Sequence, residues 1–177
     1  KYKWVEYHKW VFKSSLYTKL IGDLVLKTSA DFGYLGTYNR KLGYSPFEGF
    51  QVGGDGMSGY NTYGADIIGL RGYPNYSLTP VIGNAYAGRV YDKFSVELRH
   101  PIILQPQSTI YGMLFLEGGN CWADIKDFNP FQIKRSAGIG LRVLLPIVGM
   151  MGIDWAYGFD PVNSGSDKGR GGSQFHF

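Results

Sequence analysis

Hydrophobic and polar residues alternate along much of the chain. Between residues 135 and 145 every second side chain is apolar, and the positions between them are small or polar. Because successive side chains of a β-strand point to opposite faces, this spacing predicts a strand with one apolar and one polar face. Residues 149–159 repeat the pattern. The small or polar positions of the first segment are Ser136, Gly138, Gly140 and Arg142.

Eight segments of this kind are predicted strands, and helical spacing is hard to find. From residue 57 onward, long and short connections mostly alternate, as in antiparallel outer-membrane barrels with short inner turns and longer outer loops. The longest uncharged apolar run, Val143–Ile153, is shorter than the about 20 residues that a membrane helix needs. The predicted strands are 2–13, 20–34, 47–54, 85–100, 108–122, 135–145, 149–159 and 173–177.

A soluble sandwich or a lipocalin-like barrel would also give alternating strands. Two features favour a transmembrane antiparallel β-barrel. The predicted strands are longer than the roughly 5–6 residues of typical sandwich strands, and the polar face carries charged residues that suit a wet lumen better than a soluble core. Aromatic residues near the strand ends also fit an interfacial girdle. These are Tyr91, Trp122, Trp155 and Tyr157.

Composition and motif searches predict neither an enzyme nor a cofactor. The net charge of +4 is too small and scattered to indicate nucleic-acid binding. Cys121 is the single cysteine, and the three histidines lie far apart, so no metal site is expected. The segment 54–59 matches a dinucleotide-binding glycine pattern, but no helix is predicted after it. No catalytic residue is proposed.

The long loop, about residues 57–84, contains Gly69, Leu70, Arg71, Gly72 and Tyr73. This run resembles the loop motif of the outer-membrane assembly superfamily, which includes BamA, TamA and two-partner secretion transporters. Four later segments resemble, in order, the strands that follow the loop in that family. They are Phe94–Arg99, Leu114–Trp122, Arg135–Arg142 and Ile153–Tyr157.

Arg71 is the candidate functional residue of this loop. Its planar guanidinium presents paired donors that suit carboxylates. Glu97 and Glu117 share the polar face of neighbouring predicted strands, so both should face the lumen. The family resemblance implies that the loop folds inward and that Arg71 contacts Glu117 first, with Glu97 beside it. The alternative is a solvated loop arginine.

The resemblance also implies the organisation of the whole molecule. The family's barrel has sixteen strands and follows periplasmic POTRA domains. Residues 1–177 would then be about the last eight strands, with the first half of the barrel and the POTRA domains absent from this sequence. The final strand would form one side of a lateral seam. Its predicted residues are Gln174, Phe175, His176 and Phe177.

The function implied by the resemblance is that of a BamA-like insertase. Such a protein folds client β-barrel proteins and inserts them into the bacterial outer membrane through the seam. Its expected partners are those clients, the rest of its own barrel, accessory assembly lipoproteins and the lipid bilayer, with no nucleic acid. Two alternatives remain open: a polypeptide-secreting pore of the two-partner or TamA type, and a small structural outer-membrane barrel.

Overall fold

A computed structural model describes residues 6–39, 41, 43–56, 64–105, 108–145, 149–162 and 170–176 of the chain, most of which lie in β-strands. One single-turn 3-10 helix, Ile125–Asp127, accompanies them. The strands are β1 Tyr7–Lys19, β2 Val25–Thr37, β3 Phe50–Val52, β4 Asp66–Ile68, β5 Val81–Ile82, β6 Ala85–Tyr86, β7 Val90–Gln105, β8 Ser108–Trp122, β9 Lys134–Leu145, β10 Gly149–Pro161 and β11 Arg170–His176. Within these residues no helix is long and apolar enough to cross a membrane.

Seven of these strands form one antiparallel sheet in the order β1-β2-β7-β8-β9-β10-β11. Short connections join most consecutive strands of this sheet. Longer segments lie between β2 and β7, between β8 and β9, and between β10 and β11. In the part of the chain that is described, β1 and β11 lie at opposite edges and do not pair. The all-β, antiparallel architecture predicted from the alternation is therefore confirmed, as an open sheet.

The two faces of the sheet differ in the way that the alternation predicts. Apolar side chains on one face, the outer face, are exposed, as expected for a surface that meets lipid. Side chains on the opposite, inner face are mostly buried and include charged groups. Exposed outer residues include Phe94, Val96, Leu114, Leu116, Ile139, Leu141, Ile153 and Trp155. Buried inner residues include Ser95, Glu97, Met113, Phe115, Glu117, Ser136, Asp154 and Ala156.

The first two strands lie further along the chain than predicted. Residues 14–19, which lie between the predicted strands 2–13 and 20–34, belong to β1, which pairs with β2 from Tyr7↔Thr37 to Lys19↔Val25. The actual turn contains Gly22, whose φ of +60° is a conformation that glycine adopts without strain. Pairing with β2 thus keeps the polar stretch extended, although its own side chains do not alternate.

The prediction that residues 47–54 form a strand of the main sheet is wrong. Only Phe50–Val52 is extended, and it pairs in parallel with β4 rather than with a barrel strand. The main sheet consequently has seven strands among the described residues, and the long loop occupies 38–89 instead of 57–84. Phe50 and Val52 are buried, which explains the misleading alternation: they face a core within the loop.

Other boundaries also differ from the predictions. Residues 85–100 divide into β6 and β7, and β7 continues through Pro101, where a shift in the pairing with β8 accommodates the missing N–H. The last strand begins at Arg170 rather than Ser173. The girdle interpretation is wrong for two aromatics: Tyr91 is fully buried, and Trp122 is buried with its ring 5.0 Å from that of Phe128.

The loop packs its own apolar residues against the inner wall. One cluster joins loop side chains to inner-facing residues of β2, β7 and β8. Since apolar burial is the main favourable term in folding, this cluster gives the loop a fixed place over one end of the sheet. Its members are Leu35, Phe50, Val52, Ile68, Leu70, Tyr73, Leu78, Tyr91 and Cys121.

Candidate functional site

Arg71 follows β4 at the end of the loop's small parallel sheet, where Gly54 and Leu70 form an isolated bridge. The next residue, Gly72, has a φ of +88°. A Cβ at Gly72 would lie 2.9 Å from the backbone N of Gly158 and 2.9 Å from the backbone C of Tyr157. Because both atoms belong to the backbone of β10, the loop can approach that strand only with glycine at this position.

Three carboxylates on three strands surround the Arg71 guanidinium. Nη2 donates to Glu97 Oε1 of β7 at 2.8 Å and to Glu117 Oε1 of β8 at 2.7 Å. Nη1 donates to Asp154 Oδ2 of β10 at 3.1 Å. The backbone N–H of Arg71 also donates to Glu117 Oε2 at 2.9 Å. A single loop residue is therefore bonded to β7, β8 and β10.

The guanidinium is largely buried, although Arg71 also lines the cavity between loop and wall. Its Cζ lies 3.5 Å from the centroid of the Phe115 ring, and Nη1 lies 3.9 Å from Met113 Sδ. Arg71 is 8% exposed. Burial on its own would lower the pKa of Arg71, but the adjacent carboxylates outweigh burial and raise it, so the side chain stays charged. In such a site each charge-assisted hydrogen bond is stronger than at the surface.

Further basic side chains accompany each carboxylate. Together with Arg71, five basic side chains face the three acids, so no carboxylate depends on Arg71 alone. This arrangement offsets part of the cost of burying the charges. The additional contacts are Lys93 Nζ to Glu117 Oε1 at 3.4 Å, Lys27 Nζ to Glu97 Oε2 at 3.7 Å, Arg99 Nη2 to Glu97 Oε2 at 2.5 Å, and Arg142 Nη2 to Asp154 Oδ2 at 2.5 Å.

The residues beside Arg71 also bind the wall. The carbonyl of Gly69 accepts from Lys93 Nζ at 2.5 Å, and Leu70 is completely buried in the loop cluster. The Tyr73 hydroxyl donates to the carbonyl of Arg135 at 2.7 Å and accepts from the N–H of Asp160 at 3.3 Å. Burial raises the pKa of Tyr73 to about 12, so the hydroxyl keeps its proton at neutral pH. All five motif residues thus touch the wall or the core.

The structure brings the predicted pair, Glu97 and Glu117, to Arg71, and it adds Asp154, which the sequence reasoning did not name as a partner. A signal for Asp154 was present: it is the acidic residue at an inner-facing position of β10, in register with Gly140 of β9. The sequence gives no measure of curvature, however, so the distance between β8 and β10 across β9 could not be judged.

The predicted seam residues lie on β11, at the edge of the sheet. Gln174 and Phe175 pair with Ala156 and Trp155 of β10. The N–H of Gly72 donates to His176 Nε2 at 3.2 Å, so β11 also touches the loop. This contact was not expected from the sequence. Phe177 lies outside the described residues.

Among the described residues, no group of three or more His, Cys, Asp or Glu side chains is placed to hold a metal ion. The three carboxylates at Arg71 are directed at the guanidinium and at the neighbouring bases. The chemistry that this cluster can perform is therefore binding: it fixes the loop to the wall through charge-assisted hydrogen bonds.

Comparisons with known proteins agree with this architecture. The fold is similar to the crystal structure of BamA from Haemophilus ducreyi lacking POTRA domains 1–3, with a TM-score of 0.61 and 18% sequence identity. That match covers 96% of this chain and 34% of the BamA chain, so the sequence spans about a third of its length. At this identity the likeness is one of fold, and it confirms the prediction of a partial outer-membrane-type barrel. No curated protein sequence matches the chain. The model of the Omp85 superfamily domain matches residues 1–177, and the chain therefore belongs to the Omp85 superfamily.

Proposed function

We propose that this chain is part of a BamA-type insertase of the bacterial outer membrane. In this proposal residues 1–177 are the C-terminal part of a larger barrel, completed by further strands and preceded by POTRA domains. The partners are client β-barrel proteins, accessory assembly lipoproteins and the bilayer, and the reaction needs no cofactor. The apolar outer face supports a position in the membrane.

The edge strand β11 is the observation that carries the proposal. Its described residues, Arg170–His176, pair with β10 and with no other described strand. Its pairing with β10 shifts register between Gly158 and Pro161. An edge strand presents unpaired N–H and C=O groups that can template an incoming strand. An irregularly paired edge strand beside a regularly paired sheet suits the seam of an insertase, where client strands would be added.

The Arg71 site has a supporting role in this mechanism. By bonding β7, β8 and β10 together from the inside, it would keep the wall beside the seam in one shape while β11 exchanges partners. The hydrogen bond from Gly72 to His176 connects the same turn with the seam strand itself. We propose that the loop positions β11 for the addition of client strands.

A secretion pore is the second candidate, and the charged inner face favours it. A cavity of about 350 Å³ lies between loop and wall, lined by charged and polar side chains that include Lys13, Asp31 and Arg142. A polypeptide could pass along such a surface only if the loop moved away. A small structural barrel is less well supported, since it needs pairing between strands at opposite edges of the described sheet.

Reconstitution in lipid vesicles distinguishes these functions. The full natural chain is inserted into vesicles, and a urea-unfolded outer-membrane protein is added from outside. An insertase should speed the appearance of folded client, seen as a heat-modifiable band on an unheated gel. A secretion pore should instead place an unfolded passenger inside the vesicle, protected from added protease. Absence of client folding together with passenger protection would overturn the insertase proposal.

A further inference from the structure

A second cluster of charged residues joins the loop to the edge strand β1. Lys9 Nζ lies 2.9 Å from Glu48 Oε2 and 3.0 Å from Asp66 Oδ2. The hydroxyl of Tyr7 donates to Glu48 Oε1 at 3.2 Å, and Lys9 Nζ lies 5.4 Å from the centroid of the Phe50 ring. The Lys9 side chain is 20% exposed, so its ammonium is partly withdrawn from water.

The two loop carboxylates are brought together by the parallel pairing of β3 and β4. Glu48 precedes β3, and Asp66, the first residue of β4, is in register with Phe50. The N–H of Asp66 donates to the carbonyl of Gly49 at 2.9 Å, which fixes the relative position of the two segments. Two adjacent carboxylates repel each other, and a shared cation removes that repulsion. Lys9 occupies this shared position.

The clusters of Lys9 and Arg71 hold opposite ends of the same small parallel sheet. Glu48 and Asp66 stand at its beginning, whereas the bridge between Gly54 and Leu70 stands at its end, directly before Arg71. A short two-stranded unit that is attached at both ends can neither pivot nor slide. Without Lys9, the beginning of the unit would keep its apolar packing, such as Phe50 against Tyr91, but would lose its ion pairs to β1.

The pair of attachments also links the two edges of the sheet. Lys9 belongs to β1, which has β2 as its only partner among the described strands. At the other edge, Gly72 donates to His176 of β11. The loop therefore contacts both outermost strands of the sheet from the inner side.

We infer that Lys9 is a second positioning residue for the loop, which holds the beginning of the β3–β4 unit against β1 independently of Arg71. The contact rests on loop geometry and not on the insertase function. Loss of the Lys9 cation should loosen residues 48–52 and 64–68, while the hydrogen bonds of Arg71 persist. Loop position and the stability of the β1 edge become coupled through Lys9, beside the hydrogen bond from Tyr7 to Glu48.

Hydrogen exchange in the full natural chain, reconstituted in lipid vesicles, tests the inference. Lys9→Gln should speed exchange at the amides of Phe50 and Asp66 by roughly three- to tenfold, the range expected for two partly exposed ion pairs. Exchange at Arg71 and Tyr73 should stay within about twofold of the parent. Lys13→Gln is the matched control, because Lys13 lies on the same face of β1 and forms no ion pair with a described residue.

A charge exchange separates pairing from a general effect on folding. Lys9→Glu places a third carboxylate beside Glu48 and Asp66 and should loosen the segment more than Lys9→Gln. Adding Glu48→Lys restores one cation among two carboxylates, and exchange should return toward the parent rate. Equal effects of Lys9→Gln and Lys13→Gln, or no recovery in the double variant, would overturn the inference. Neither readout depends on client insertion, so a failed insertase assay leaves the result intact.

Discussion

The two attachments of the loop use similar side chains in very different surroundings. At Arg71 the side chains of the cation and its three carboxylates are between 2% and 10% exposed. At Lys9 the side chains of the cation and its two carboxylates are between 20% and 45% exposed. Exposed ion pairs contribute little because water screens them, whereas breaking a buried pair leaves an uncompensated charge. The buried Arg71 site should therefore hold the loop in place, whereas the partly exposed Lys9 site should orient it.

Removing the guanidinium should have the largest effect. Arg71→Ala leaves three buried carboxylates without their shared partner, and we expect a cost of roughly 3–5 kcal/mol at the loop. Limited proteolysis of the reconstituted protein should cut within the loop, and under the insertase proposal client folding should fall in parallel. Arg135→Ala is the control: its pair with Asp160 is largely exposed, with 65% of the Arg135 side chain accessible. Parent-like loop protection in Arg71→Ala would contradict this role of the buried Arg71 site.

Crowding the turn beside Arg71 should have the next largest effect. Gly72→Ala combines a positive φ with contacts to the backbone of β10, and we expect a loss of roughly 2–4 kcal/mol. Gly22→Ala provides the comparison, since Gly22 has a φ of +60° but nothing within 4 Å of its added Cβ. Urea titrations of both variants measure the difference. Equal losses would mean that the close approach to β10 contributes nothing.

Neutralising one carboxylate should weaken the Arg71 site without releasing Arg71 from its other partners. Glu117→Gln keeps the shape of the side chain but replaces two charge-assisted bonds from Arg71, at a cost of roughly 1.5–3 kcal/mol. Asp154→Asn should release the loop less, because Asp154 accepts one bond from Arg71 at 3.1 Å. Hydrogen exchange at residues 70–73 ranks the two variants. The reverse order would assign the leading role to Asp154.

High salt should affect the Lys9 and Arg71 attachments differently, and this is the smallest of the expected effects. In about 1 M NaCl the screening length falls to about 3 Å, which weakens exposed pairs far more than buried ones. Exchange at the amides of Phe50 and Asp66 should rise by about twofold, while that at residues 70–73 should not change. Sodium sulfate at matched ionic strength checks for an effect of the chloride ion. An equal rise in exchange at Phe50, Asp66 and residues 70–73 would contradict the difference between the exposed and the buried attachment.

The sequence predicted those features that depend on neighbouring positions within one strand. Alternation identified the inner faces of β8, β9 and β10, and with them the orientation of Glu117. The loop motif identified Arg71 by resemblance. The errors occurred where pairing is non-local: residues 14–19 are extended because β2 lies beside them. Residues 47–54 alternate because they cover a core inside the loop and not because they cross a membrane.

The charged contacts of the loop were harder to predict for the same reason. Lys9 is separated from Glu48 by 39 positions, and no spacing rule relates the two. Asp154 is separated from Arg71 by 83 positions and reaches it because the sheet curves across β9. Sequence patterns specify the face on which a side chain lies. The distance across the lumen follows only from the assembled sheet.

The three carboxylate bonds of Arg71 also set an order of events during the protein's own folding. They span 26, 46 and 83 positions along the chain, and all the acids come after the loop. The docking surface of the loop is therefore assembled from strands that lie later in the chain, and it is complete only when β10 has joined β9. Contacts that span long stretches of chain form late, because closing the intervening segment costs entropy. A docked loop therefore indicates that β7, β8 and β10 have all taken their places in the sheet.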